Sequence, residues 1–384
     1  MTFTGYPRPN GAVGIRNYVV VMSSVSCANG VVNAIARACP EIKPITHTEG
    51  CGRGFTDLMI STRTLAGLGC NPNVAAVLVV GLGCEFIKAD IVANQIKETG
   101  KPVECLFIQD EGGSQKTARK GIEIARQMLE QTNSIAVQQF GFEKLTVGLN
   151  CGGSDALSGI TANPMVGVAS DWLVSEGGTV ILSETTEMFG AEGTLARKAA
   201  TPEIREKVLG IVAKQRQRAE ALLGPYAGTA ISPGNKEGGL TTLAEKSLGC
   251  VMKAGTTQIQ DVVDYAAIPS KRGLVVMDTP GSDIFSLTGM AAGGAQMMIF
   301  TTGRGTPAGF PIAHVVKIAS NSALFERMND DMDLNAGKII DGVSIEEAGQ
   351  ELTRFIVDVA AGRQTKAEMN LQDLLAIYTV EQAF

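Results

Sequence analysis

Four of the eight cysteines fall at or just past the carboxyl end of an apolar, strand-like run. Cys27 follows YVVVMSSVS, Cys51 follows KPITHTEG, Cys84 follows VAAVLVVGLG and Cys151 follows LTVGLN. In open α/β sheets that edge is where ligands bind, so converging thiolates there could hold a soft metal or an iron–sulfur cluster. Cysteine also packs as a small buried hydrophobe, and the spacing contains no CxxC, so both readings stand. Cys39, Cys70, Cys105 and Cys250 lie inside helix or strand patterns and read as core. Histidine is limited to His47 and His314, too few for a His-rich metal site. His47, four residues before Cys51, could ligate or shuttle a proton, or be structural. The two share one short loop, a poor geometry for a nucleophilic dyad, which ranks thiol-dependent hydrolysis last.

Carboxylates and bare backbone accompany the thiols. The stretch 147–164, VGLNCGGSDALSGITANP, places Cys151, Gly152, Gly153, Ser154 and Asp155 side by side at a strand end. SETTEMFGAEG (183–193) places Glu184 and Glu187 just after TVILS. Each could act as an acid or base, or Ser183 could simply cap a helix whose first turn favours Glu. Glu85 in GLGCE has the same two readings. The loops SPGNKEGGLTT (232–242, with Asn235 and Lys236) and TTGRGTP (301–307, with Thr302 and Arg304) suit an oxyanion such as a carboxylate. Neither is a Walker A loop or a G-x-G-x-x-G turn.

The elements that position these residues alternate. Strand-like runs at 18–25, 43–48, 74–83 and 103–109 are interleaved with helical patterns, the last through KTARKGIEIARQMLEQT. A second alternation has strands at 145–150, 179–184, 273–279 and 295–303, with helices over 202–224 and 343–362. TNSIAVQQFGFEK (132–144) reads as a linker. The spacing predicts an α/β fold of two domains, 1–138 and a larger 139–384, each with a mainly parallel, Rossmann-like sheet flanked by helices. The 384 residues suffice for two cores, and 45% hydrophobic with 19% charged residues is an ordinary globular balance. A net charge of −6 without a basic run speaks against nucleic acid. No apolar run is long enough to span a membrane, and the amino terminus lacks a signal-peptide core, so a cytoplasmic setting with free thiols is expected.

Read together, GYPRPNGAVGIRNYVVV, GCG, PNVAAVLVVGLGCE, CGGSDALSGITANP, SETTEMFGAE, SPGNKEGGLTTLAEKSLG and FTTGRGTP resemble the catalytic part of the altronate/galactarate dehydratase family. That family includes the beta subunit of sulfolactate sulfo-lyase. The resemblance implies an iron-dependent lyase, with Fe2+ or an iron–sulfur cluster, that removes water, or sulfite in the sulfo-lyase, from a hydroxy acid. Water loss from a sugar acid such as altronate or galactarate would leave a 2-keto-3-deoxy acid. Under that reading Cys27, Cys51, Cys84 and Cys151 would hold the metal. Asp155, Glu184, Glu187 and Lys236 would supply acid–base chemistry. Gly152, Gly153, Ser154, Asn235, Thr302 and Arg304 would face substrate, with Lys246 and Lys317 as further lysines to consider. The chain begins at the GYPRPNG segment, without the family's usual amino-terminal SAF-type module, so a separate small SAF-type subunit and an oligomeric assembly are expected. The competing readings are a sulfo-lyase large subunit and a non-catalytic binding subunit.

Overall fold

The computed structural model describes residues 1–227 and 231–384. In chain order the first strands are β1 (Thr2–Pro7), β2 (Val13–Gly14), β3 (Tyr18–Ser23), β4 (Lys43–Ile45), β5 (Val74–Gly81), β6 (Val103–Phe107) and β7 (Gln138–Gly141). They continue as β8 (Thr146–Cys151), β9 (Thr179–Leu182), β10 (Ile259–Val263), β11 (Gly273–Met277), β12 (Met297–Thr302), β13 (His314–Ala319) and β14 (Leu334–Asn335).

Two parallel sheets carry the fold. One has the order β4-β3-β5-β6, the other β10-β11-β9-β8-β12-β13-β14, and every pairing within both is parallel. Helices cover both faces, which is why β5, VAAVLVVG, is buried at every position and reads as an unbroken apolar run. A third, antiparallel sheet, β2-β1-β7, was not foreseen. The stretch read as a linker contains β7, whose first two residues are exposed, so it lacks an apolar alternation. SPGNKEGGLTT likewise contains a helical turn, Pro233–Glu237, with Ser232 accepting from Asn235 N–H at its start.

The two parallel sheets share packing. Helix Phe55–Cys70 lies against helix Asp283–Ala292, and a Cβ on Gly67 would sit 2.5 Å from Ala292 O. Only glycine allows that approach. Two buried amides bolt the layers together: Asn71 Nδ2 donates to Ala291 O (2.8 Å) and Asn73 Nδ2 to Gln296 O (2.8 Å). Each satisfies carbonyls that would otherwise be stranded away from water. The carboxyl-terminal segment straps the same two helices. Ala376 N–H reaches Thr288 Oγ1, the Tyr378 ring packs tilted against Phe285 with centroids 5.7 Å apart, and Val380 N–H donates to Asp57 Oδ1 at 2.6 Å. Phe384 N–H then reaches Gly52 O. The amino ends of both helices, and hence the carboxyl edges of both sheets, therefore face one side of the molecule.

Candidate active site

At the carboxyl end of β8 the chain turns through Cys151 and Gly152. The adjacent strands β9 and β12 end level with it, and order within the sheet reverses here, the place where open α/β sheets form a crevice. Just past β9, Glu184 adopts a left-handed backbone, φ +67°, uncommon for a residue with a Cβ. Its N–H donates to Thr279 Oγ1 (2.7 Å), and its Oε2 accepts from Cys151 N–H (2.7 Å) and Lys253 Nζ (3.1 Å). Ser183 caps nothing; its hydroxyl donates to Leu149 O in β8.

Cys250 Sγ lies 3.6 Å from Cys151 Sγ. Cys151, Glu184 and Cys250 are buried, and one ligand atom from each lies within 4.8 Å of the others. The donors, two sulfurs and a carboxylate oxygen, suit a borderline metal such as iron or zinc. Yet Lys253, 1% exposed, already sits on the carboxylate. Burial opposes the Lys253 ammonium, but Cys151, Cys250 and Glu184 outweigh that and raise its pKa well above the usual value. A divalent ion here would share a sealed pocket with that ammonium. A metal here would thus have to share Glu184 with the Lys253 ammonium. Burial, then Cys151, pushes Glu184 well above the usual carboxylate range against the pull of Lys253. The contact with Cys250, and then burial, hold Cys151 as a thiol.

Three more groups border this network. Glu187 pairs with Lys246 Nζ at 2.9 Å. Burial disfavours the Lys246 ammonium, but Glu187 and Cys151 overcome it and its pKa is raised. Asp283 begins helix Asp283–Ala292 and accepts from Asn150 Nδ2 (3.3 Å). Burial lifts Asp283 to about 6, the Asn150 bond lowering it and Glu187 raising it further. Four buried polar atoms in this one region have no hydrogen-bond partner among the described residues: Asn150 Oδ1, Glu184 Oε1, Glu187 Oε2 and Ser247 Oγ. Native proteins rarely leave such atoms unpaired, so the grouping reads as a place built to receive a polar ligand. Beside it, Ser154, Ser158, Asn163 and Lys246 help line a cavity of about 300 Å³.

The remaining sequence candidates divide. Asp155 is buried and accepts from Ser158 N–H, Ser158 Oγ, Ser320 Oγ and Asn321 Nδ2, so its oxygens are committed to holding its own loop. Asn235 donates to Ser154 O, and Thr302 Oγ1 accepts from Gly305 N–H, both in loop support. Gly152 lies where a Cβ would sit 2.6 Å from Asp283 Oδ1, and Gly153 O accepts from Gly303 N–H. Lys236 is exposed; Arg304, also exposed, pairs with Glu237 at 2.8 Å. Lys317 is buried and donates to Pro307 O.

On the four-stranded sheet, Cys27, Cys51 and Cys84 are exposed, and Glu85 accepts from Ser24 Oγ and Gly83 N–H. His47 accepts from Glu49 N–H at Nδ1, so its Nε2 carries the proton and donates to Ser23 O at 2.8 Å. Both ring nitrogens are thereby occupied. Cys39 is buried, while Cys70 and Cys105 are half-buried. Sequence reasoning missed Asn150, Cys250, Lys253 and Asp283. Cys250 and Lys253 sit in LAEKSLGCVMKA, an ordinary helical pattern, and nothing local marks their partners, 99 and 69 residues upstream.

Nearly the whole chain is similar to proteins of one family. Residues 142–382 match the family model described as D-galactarate/Altronate dehydratase, C-terminal. Residues 5–133 match D-galactarate dehydratase/Altronate hydrolase, second domain. The chain is 36% identical to altronate dehydratase of Escherichia coli K12 over 97% of its own length and 77% of the relative's. It is 34% identical to altronate dehydratase of Bacillus subtilis 168, with 98% and 77% covered. It is also 34% identical to the (2R)-sulfolactate sulfo-lyase subunit beta of Chromohalobacter salexigens, with 96% and 94% covered.

Proposed function

The chain belongs to the galactarate/altronate dehydratase family of lyases, and on that premise we propose that it removes water from a sugar acid such as altronate or galactarate, giving a 2-keto-3-deoxy acid. The observation that carries this reading is the set of four unpartnered buried polar atoms among two lysines and three carboxylates at the carboxyl edge of the seven-stranded sheet. A polyhydroxylated acid has the donors and the negative charge to satisfy such a set.

Dehydration starts with removal of a weakly acidic C2 proton. Asp283 is the group assigned to take it. Its pKa of about 6 keeps it ionised yet basic near neutral pH, and it is not sealed from solvent as Glu184 is. The Asn150 amide orients it, and bare Gly152 leaves its carboxylate uncovered. The Lys246 ammonium lies where it can stabilise negative charge developing on the substrate carboxylate. Glu187 accepts from Lys246 and holds its ammonium where that ammonium can protonate the departing C3 hydroxyl. Lys253 and Glu184 fix the floor beneath them. Iron, when bound, would supply Lewis-acid stabilisation of the enolate, with Cys27, Cys51 and Cys84 as its thiolate ligands.

A small SAF-type subunit closing over the site is part of the same reading. Its support is the sulfo-lyase relative, which is named as a beta subunit, and an exposed apolar groove. Phe55, Met59, Phe86 and Ile91, all exposed, line about 740 Å³ beside the Cys51 and Cys84 loops. Large exposed apolar patches of this kind mark protein contacts.

The test is an anaerobic assay of altronate, galactarate and sulfolactate, with and without a co-expressed small subunit, reading 2-keto acid and sulfite separately. Formation of 2-keto-3-deoxy acid from a sugar acid is the expected result. Sulfite from sulfolactate alone would move the chain to the sulfo-lyase branch, and no turnover of any acid would reject a catalytic role.

A further inference from the structure

We propose that Cys27, Cys51 and Cys84 together ligate an iron–sulfur cluster of the [4Fe–4S] class, leaving one iron without a protein thiolate. The three cysteines follow β3, β4 and β5, which are direct neighbours in the order β4-β3-β5, and all three are exposed.

Their loops are built as one unit. Ser26 N–H, beside Cys27, donates to Glu49 O at 2.9 Å. Phe86 N–H, beyond Cys84, donates to Gly50 O at 3.1 Å. Glu85, 1% exposed, clamps the Cys84 turn to Ser24 through its two oxygens. His47 pins the Cys51 loop to Ser23 and Glu49. A Cβ on Gly50 would fall 2.4 Å from Val25, so glycine is needed for the Cys27 and Cys51 loops to meet. Surface cysteines without a ligand need none of this bracing.

Spacing and charge separate a cluster from a single ion. One ion with metal–sulfur bonds near about 2.3 Å draws its ligand atoms to within about 4.6 Å of one another. Among the described His, Cys, Asp and Glu residues only Cys151, Glu184 and Cys250 are gathered that closely, and Lys253 already pairs with Glu184. Cys27, Cys51 and Cys84 are not gathered that closely, which favours a polynuclear cluster over a single ion as what their interlocked loops would hold. Gln109 Nε2 points at Cys84 Sγ from 3.7 Å, a donor of the kind that tunes cluster sulfurs. The carboxyl-terminal strap puts this edge on the same side as Asp283.

The inference extends the iron requirement of the proposed function, and its test does not read activity. Protein purified without air, then reconstituted with iron salt and sulfide, is analysed for iron, acid-labile sulfide and charge-transfer absorbance. The wild type should carry about four irons and about four sulfides per chain. Cys27→Ser, Cys51→Ser and Cys84→Ser should each lose the sulfide and the absorbance, while Cys151→Ser and Cys250→Ser retain them. Thermal melts confirm folding, with alanine replacing serine at any position that fails to fold. Iron without labile sulfide in the wild type, or sulfide persisting in the three exposed-site variants, overturns the cluster. A protein that carries the cluster but dehydrates nothing leaves this inference standing and removes the proposed function; an active protein without sulfide does the reverse.

Discussion

Lys253 Nζ donates to Glu184 Oε2 at 3.1 Å with both side chains sealed from solvent, at 1% and 0% exposure. A buried pair of this kind contributes little net stability over an apolar pair, but losing one partner strands the other charge. Lys253→Met should therefore destabilise the fold by about 3–5 kcal/mol. Glu184→Gln combined with Lys253→Met should cost less than the sum of the two single changes. Urea titrations of the three variants measure this, and additive losses would show that the two groups do not act as a pair.

Asp283 gives a pH signature. Its pKa rises from the ordinary 3.8 to about 6 in the fold, so folding favours its protonated form. The penalty is absent below the unfolded pKa, grows as pH rises through that of the folded state, and is complete above it. Asp283→Asn should stabilise the protein by on the order of 2–3 kcal/mol at pH 8 and by nothing near pH 3.5. Melting curves across that range check the sign.

His47 works in the opposite direction. Burial, opposed by the Ser23 bond and Glu49, lowers its pKa, so the fold holds it neutral. The stability tied to it is present above the unfolded pKa and falls away as pH drops below it. Between pH 7.5 and 5.5 the wild type should lose more stability than His47→Gln, whose amide does not charge. Equal losses in paired urea titrations would remove His47 from the account.

Gly152 tests close approach. A methyl group there would press on Asp283 Oδ1 at 2.6 Å and Phe300 at 2.7 Å. Gly152→Ala should lower kcat at least about tenfold, with a smaller change in KM, because it displaces a reacting group rather than a binding surface. Steady-state kinetics decide the split.

Much of the framework was legible because it obeys local rules. The unbroken apolar run of β5 signalled a doubly covered strand, and the helical spacing over 343–362 matches helix Ile345–Ala360. Strands β10 and β13 were passed over: IQDVV is half-buried at an edge, and HVVKIA contains a lysine that is nonetheless buried. At the site, glycine and carboxylate at strand ends pointed to Cys151, Glu184 and Glu187, which the fold gathers. Asp155 carried the same local signal, yet four hydrogen bonds commit it to its loop. Lys253 and Cys250 gave no signal, because their significance lies in contacts with β8 and β9, made across long stretches of chain.

The central claim is that Asp283 takes the C2 proton of a sugar acid at this edge of the sheet. Its most direct measurement is exchange of the substrate's C2 hydrogen with solvent deuterium, followed beside 2-keto acid formation, in wild type and Asp283→Asn. The account predicts that both rates fall together by at least about a hundredfold in the variant, the usual scale for a lost general base, while its melt stays cooperative. Exchange and product formation within twofold of wild type would contradict it.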